Sequence, residues 1–302
     1  MQELGILVPI VTPCNLKGDV DFVGLKNVVS YVLDAGCHSI YVSGSTGRGP
    51  WFSIKQRSQI CECVAKNVSK DVKILAGCMS PSFNDMLENA KVMKESGADY
   101  AVFTAPGYFI YNQREIKDIF FRIAETSPLP ILVYDMPVFS RVKLESETIL
   151  ELSKHENVIG LKDSSGDIEN FKKIYNSVFS NDRFMLLQGK ENLLAESIEM
   201  GCSGFVVSLL HLNPEPFVKL YNYAKSGMKE EAESIQKIIN KSLDLVIKCF
   251  QKRPETSTLF YILNYALVKK SVCKNILLEH EKNCPKWLNN EALKCMELLK
   301  IF

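Results

Sequence analysis

The sequence predicts an α/β fold, a parallel (β/α)8 TIM barrel followed by a C-terminal helical extension. Three observations carry that expectation. Strand and helix signals alternate with a regular beat over residues 1–225. Many of the strand candidates are short continuous apolar runs, as in strands covered on both faces. Beyond residue 225 the strand signals stop and only helical periodicity continues. A doubly wound open sheet is disfavoured, because no Gly-x-Gly-x-x-Gly run follows the first strand.

The elements follow in order. Residues 6–11 (Ile-Leu-Val-Pro-Ile-Val) read as the first strand, and residues 22–33 as the first helix, with apolar residues at helical spacing. Strand 39–42 precedes helix 54–68, strand 72–76 precedes helix 83–95, and strand 100–103 precedes helix 115–124. Strand 131–134 precedes helix 146–153, strand 158–161 precedes helix 168–177, strand 184–187 precedes helix 191–199, and strand 204–207 precedes helix 215–224. Residues 228–249, 257–270 and 289–299 then read as helices, punctuated by Pro254 and Pro285. Residues 1–225 are therefore assigned to the barrel and 226–302 to a helical extension packed on it.

Composition excludes several function classes. At 46% hydrophobic residues the chain has a normal globular core. With 36 basic and 35 acidic residues it carries no basic stripe, so nucleic acid is not expected as a partner. Met1–Gly5 shows no charged leader before an apolar core, and no apolar run reaches the roughly 20 residues of a membrane helix. A cytoplasmic location without a membrane partner is expected. Cys37, Cys78, Cys202 and Cys249 lie in apolar or helical segments and read as reduced, buried cysteine. Cys61 and Cys63 face different ways on a helix and His38, His155, His211 and His280 are scattered, so no metal site is expected.

In a barrel of this kind, chemistry collects at the carboxyl ends of the strands. Lys162 ends the apolar run Asn157-Val158-Ile159-Gly160-Leu161. Desolvation there disfavours the ammonium and frees the amine for attack on a carbonyl. A strand-capping lysine paired with Asp163 or Asp167 is the ordinary alternative. After the second strand, Ser43-Gly44-Ser45-Thr46-Gly47 offers backbone N–H groups and hydroxyls to an anion, unless it is a plain strand–helix loop. After the fifth strand, Tyr134-Asp135-Met136-Pro137 puts a phenol at the mouth, unless the tyrosine is simply core. Together, an amine, a phenol and an anion cradle describe Schiff-base chemistry on a 2-keto acid.

The chain resembles the dihydrodipicolinate synthase / N-acetylneuraminate lyase superfamily of pyruvate-dependent class I aldolases. The resemblance rests on Pro9-Ile10-Val11-Thr12-Pro13, Gly44-Ser45-Thr46-Gly47, Tyr134-Asp135-Met136-Pro137 and Gly160-Leu161-Lys162-Asp163, in that order. It implies that Lys162 forms an imine with pyruvate, that Tyr134 is the acid/base, and that Ser45, Thr46 and Gly47 bind the carboxylate. It also implies that Tyr108 reaches a neighbouring subunit's site in a homo-oligomer, a dimer or tetramer. No metal or diffusible cofactor is implied, since the imine itself is the electron sink.

Phe139 stands where dihydrodipicolinate synthases place an arginine for the second substrate; Arg141 is two residues further on. Arg48-Gly49-Pro50 and Lys162-Asp163-Ser164-Ser165, with Gln188-Gly189-Lys190-Glu191-Asn192, look like archaeal 2-keto-3-deoxygluconate aldolases. Leu209, Leu210 and His211 depart from the small polar residues usual there, which touches the aldehyde pocket. The resemblance thus implies cleavage of a 2-keto-3-deoxy sugar acid, free or as the 6-phosphate, to pyruvate and an aldehyde. Gly189, Glu191, Val206 and Ser208 are expected to bind that substrate, unless Glu191 is a solvated helix N-terminus and Ser208 a plain strand-end serine; Arg48 is expected to hold an anionic tail at the barrel mouth, unless it is a solvated arginine paired with a nearby acid. N-acetylneuraminate lyase and 4-hydroxy-tetrahydrodipicolinate synthase are the enzymatic alternatives. A 2-keto acid sensor on the same barrel is the non-enzymatic one.

Overall fold

The computed structural model describes residues 4–300; Met1–Glu3, read above for a leader, lie outside the described residues. Eight parallel strands among them close into a barrel in chain order. They are β1 (Gly5–Pro9), β2 (Ser39–Val42), β3 (Lys73–Gly77), β4 (Tyr100–Thr104), β5 (Ile131–Asp135), β6 (Val158–Asp163), β7 (Met185–Gln188) and β8 (Gly204–Phe205). β1 pairs with β8 to close the ring. The helices around it are α1 (Phe22–Asp34), α2 (Ile54–Ala65), α3 (Phe83–Glu95), α4 (Gln113–Thr126), α5 (Pro137–Ser140), α6 (Ser146–Leu152), α7 (Ile168–Val178), α8 (Leu194–Met200) and α9 (Glu215–Lys225).

Local chemistry starts several of these helices. Asp21 caps α1 by accepting the N–H groups of Val23 and Gly24. Ser53 with Gln56, and Asn112 with Glu115, form capping boxes on α2 and α4. Alternation along the strands divides the core into two shells. Leu7, Tyr41, Leu75, Val102, Leu132 and Leu187 fill the barrel interior. Their neighbours, such as Val8, Ile40, Ala76, Phe103 and Val133, pack outward against the helices.

Among the boundaries that differ from the sequence reading, three have visible reasons. α2 stops at Ala65, where the Asn67 amide donates to the Cys63 carbonyl at 2.7 Å and caps the last turn. The segment 191–199 opens as a 3-10 turn, Glu191–Leu193, whose Glu191 carbonyl accepts from the Gln236 side chain. β8 keeps only two residues, although the Val206 N–H still donates to the Gln188 carbonyl and holds the chain along β7.

After the barrel come α10 (Lys229–Lys252), α11 (Thr256–Lys269) and α12 (Trp287–Leu298). α10 packs along α9 and α8, and α11 and α12 pack on α10. The segment after α11 returns to the first loop of the barrel: Cys14 N–H donates to the Asn275 carbonyl, and the Asn275 amide donates to the Cys14 carbonyl. All ten cysteines are free thiols, eight of them buried. No described helix is long and apolar enough to cross a membrane.

Candidate active site

The carboxyl ends of the strands surround a cavity of about 220 Å³. Lys162, from the end of β6, lines it and is only 5% exposed. Tyr134, at the end of β5, is its register partner, so alternation sends both side chains to the barrel axis. The Lys162 Nζ stands 4.0 Å from the centre of the Tyr134 ring and 5.2 Å from that of Tyr41. Neither acid that could have capped the lysine does so. Asp167 pairs with Lys143 at 2.6 Å, and Asp163 Oδ1 accepts the Ser165 N–H at 2.6 Å. No described carboxylate forms an ion pair with Lys162, which leaves an amine bounded by two aromatic faces.

Ser45 and Thr46 line the same cavity. Their loop is wound tightly between Ser43 (φ 55°) and Arg48 (φ 54°), both left-handed without being glycine, a strain found where backbone is held for function. No described acceptor takes the N–H of Ser45, Thr46 or Gly47, so these donors remain available to a bound anion. The Gly47 carbonyl accepts from Thr12 Oγ, which anchors the loop to the start of the barrel.

The opposite wall is built by Gly189, Glu191, Val206 and Ser208. Gly189 is required because a Cβ there would lie 2.0 Å from Ser164 Oγ and 2.7 Å from the Asp163 carbonyl. Glu191 Oε1 accepts from Ser208 N–H, Ser208 Oγ and Leu209 N–H at 3.2–3.4 Å, tying the loops after β7 and β8 together. His211 is fully buried below this joint. Its Nδ1–H donates to the Ser208 carbonyl and its Nε2 accepts from Val11 N–H, and burial pushes the imidazole down to about 4.

Arg48 lies elsewhere, and Tyr108, expected at a neighbouring subunit's site, lies outside this chain's own cavity. Arg48 does not reach the cavity and brings no charge to the mouth. Its guanidinium is buried, pairs with Glu281 at 2.6 Å, donates to the Ile276 carbonyl and stacks on the Phe260 ring at 3.7 Å. The left-handed backbone at Arg48 turns the side chain toward the C-terminal segment, where a matching acid waits. Tyr108 is 72% exposed and lies outside the Lys162 cavity. It lines a neighbouring cavity with Ser45, Thr104 and Phe139, beside exposed Phe109 and Ile110.

The sequence reading also missed contributors. Tyr41 is fully buried with its hydroxyl unpartnered, and burial, helped by Tyr134, raises that phenol well above the usual range. Ser164 and Lys190, which stand inside motifs already quoted but were given no role, also line the cavity. Thr256, Leu259 and Phe260 bring α11 into the wall. Behind the site, Asp135 and Asp163 follow Tyr134 and Lys162 in register and face away from the axis. Burial first, and the neighbouring Asp163 carboxyl second, raise Asp135 to about 8. Among the described residues no group of His, Cys, Asp or Glu side chains is placed to hold a metal ion.

A model of the dihydrodipicolinate synthetase family matches residues 2–290. A 2-dehydro-3-deoxy-D-gluconate/2-dehydro-3-deoxy-phosphogluconate aldolase of Picrophilus torridus is 31% identical over 229 residues, 76% of this chain and 84% of its own. A 4-hydroxy-tetrahydrodipicolinate synthase of Oceanobacillus iheyensis is 26% identical over 230 residues, 76% of this chain and 77% of its own. Among eight relatives at 26% to 31% identity, seven bear the synthase name. A dihydrodipicolinate synthase structure from Bacteroides thetaiotaomicron superposes with a TM-score of 0.89 at 25% identity, covering 98% of this chain and 99% of its own.

Proposed function

The chain belongs to the dihydrodipicolinate synthetase family of pyruvate-dependent class I aldolases and lyases, and from that premise we propose how its residues carry the chemistry. Lys162 attacks the keto carbon of pyruvate in condensation, or of the longer 2-keto acid in cleavage, and loss of water leaves an imine. The Ser45–Gly47 amides and the Ser45 and Thr46 hydroxyls hold the carboxylate. In cleavage, the electrons of the breaking carbon–carbon bond flow into the imine while Tyr134 takes the proton of the neighbouring hydroxyl. The aldehyde leaves, the enamine is protonated, and water releases pyruvate from Lys162. Condensation runs the same steps backwards. The observation that carries this reading is the Lys162 amine held 4.0 Å from the Tyr134 ring in a cavity shared with Ser45 and Thr46. Borohydride reduction with pyruvate tests it: a reduced adduct on Lys162, located by mass spectrometry, supports the imine, and an unmodified Lys162 refutes it.

The names of the relatives support a synthase, condensing pyruvate with a four-carbon amino aldehyde to give 4-hydroxy-tetrahydrodipicolinate, ahead of the sugar-acid cleavage expected from the sequence. The second reading, cleavage of 2-keto-3-deoxygluconate or its 6-phosphate, is favoured by Phe139, which lines the cavity where synthases have arginine, and by the aldolase relative at 31%. Turnover of pyruvate with each aldehyde in turn separates the two, and imine trapping without any aldehyde turnover would support the sensor. A homo-oligomer belongs to the same proposal. The exposed run Tyr108, Phe109 and Ile110, with exposed Phe139 sharing a cavity with Tyr108, supports it as an apolar surface for a second copy. A monomer at assay concentration would refute that part. The ten free cysteines support a reducing, cytoplasmic setting.

A further inference from the structure

We propose that Lys190 is a specificity-determining residue that selects a second substrate carrying a negatively charged end group. This rests on the imine reading above. Three charged residues line the cavity: Lys162, Lys190 and Glu191. Lys162 is committed to the keto carbon. Glu191 has Oε1 occupied by three donors from Ser208 and Leu209. That leaves Lys190 as the cation of the wall, and no described carboxylate forms an ion pair with it.

Its placement is fixed from both ends. The Lys190 N–H donates to Gln188 Oε1 at 3.0 Å, while the same Gln188 amide donates to Ser197 Oγ at 2.9 Å. The backbone is thus pinned to α8. The stem lies over Gly166, where a Cβ would meet Lys190 Cε at 3.1 Å. Gly166 adopts φ +82°, a left-handed conformation that suits glycine and keeps that surface bare. The Nζ stays over the same glycine, 3.8 Å from that Cβ position, and an ammonium without an ion pair on a cavity-lining residue is a point charge suited to a carboxylate or a phosphate. The anionic tail that the sequence assigned to Arg48 therefore finds its partner in Lys190. Both finer readings contain such a group, a carboxylate on the amino aldehyde or a phosphate on the sugar acid.

The test is condensation of pyruvate with three aldehydes of similar length: glyceraldehyde, glyceraldehyde 3-phosphate and succinic semialdehyde. Wild type, Lys190→Met, Lys190→Glu and Lys190→Arg are compared by kcat/KM. Wild type should prefer one or both charged aldehydes, and which one distinguishes phosphate from carboxylate. Lys190→Met should lose roughly 10- to 100-fold on the preferred charged aldehyde and less than about 3-fold on glyceraldehyde. Lys190→Glu should lose more, and Lys190→Arg should retain the preference. Equal losses on all three, or no loss, would overturn the assignment, as would a wild-type enzyme indifferent to charge. Borohydride trapping with pyruvate is run alongside. Trapping that is intact while selectivity is unmoved defeats Lys190 alone, whereas absent trapping in wild type defeats the imine reading itself.

Discussion

Tyr134 and Lys162 are directly opposed on adjacent parallel strands, and the lysine amine lies 4.0 Å from the tyrosine ring centre. Strand pairing alone sets that meeting. A one-residue slip of β6 against β5 would send the lysine outward and bring Asp163 to the axis. The pairing of amine and phenol is as secure as the barrel itself.

Lys162→Ala should abolish turnover and borohydride trapping while circular dichroism stays native. Lys162→Arg should not rescue, because a guanidinium stays protonated and cannot act as the attacking amine. Substantial product from Lys162→Ala would sink the Schiff-base mechanism.

Tyr134→Phe keeps the ring against the amine and removes only the hydroxyl. It should lower kcat by roughly 10²–10⁴-fold with a much smaller change in KM. Imine trapping should persist, more slowly. A near-normal kcat would pass the proton to Ser45 or to a water.

Arg48 and Glu281 form a pair whose side chains are only 7% and 6% exposed. Breaking it by Arg48→Met alone leaves a buried carboxylate and should cost about 3–5 kcal/mol in chemical denaturation. The double change Arg48→Met with Glu281→Leu should recover much of the loss. A cost within error for the single change would show that the pair is solvated in solution.

Asp135 gives a pH signature. Its carboxyl sits at about 8 in the fold against about 3.9 in an unfolded chain. Between those values the folded state holds a proton that the unfolded state has lost. Its contribution therefore declines as pH rises through that window and levels off above pH 8. His211, lowered to about 4, acts in the opposite sense below about pH 6.5, the ordinary histidine value. The clean window is thus pH 6.5 to 8. Asp135→Asn should gain melting temperature relative to wild type as pH rises across it. A constant difference across that range would remove Asp135 as the cause.

The barrel was legible because its strands are covered on both faces and so appear as apolar runs. That same coverage hides which side chains point inward. Nothing in Ser39-Ile40-Tyr41-Val42 marks Tyr41 as facing the axis, since all four residues are buried. Lys162 and Tyr134 were legible as polar residues ending apolar strands. Arg48 was misplaced because its partner, Glu281, lies in a distant segment with no local signal. Lys190 stood inside a quoted motif without a role for a related reason: a lysine after a strand looks solvated until its backbone bond to Gln188 and its place over Gly166 are seen.

One wall of the cavity comes from α11, through Thr256, Leu259 and Phe260, and Arg48 grips that wall from the barrel side. A ribosome makes the chain from its N-terminus, so every strand is synthesised before that wall exists. The cavity around Lys162 thus depends on a helix outside the barrel, and loosening α11 would open it without touching a strand.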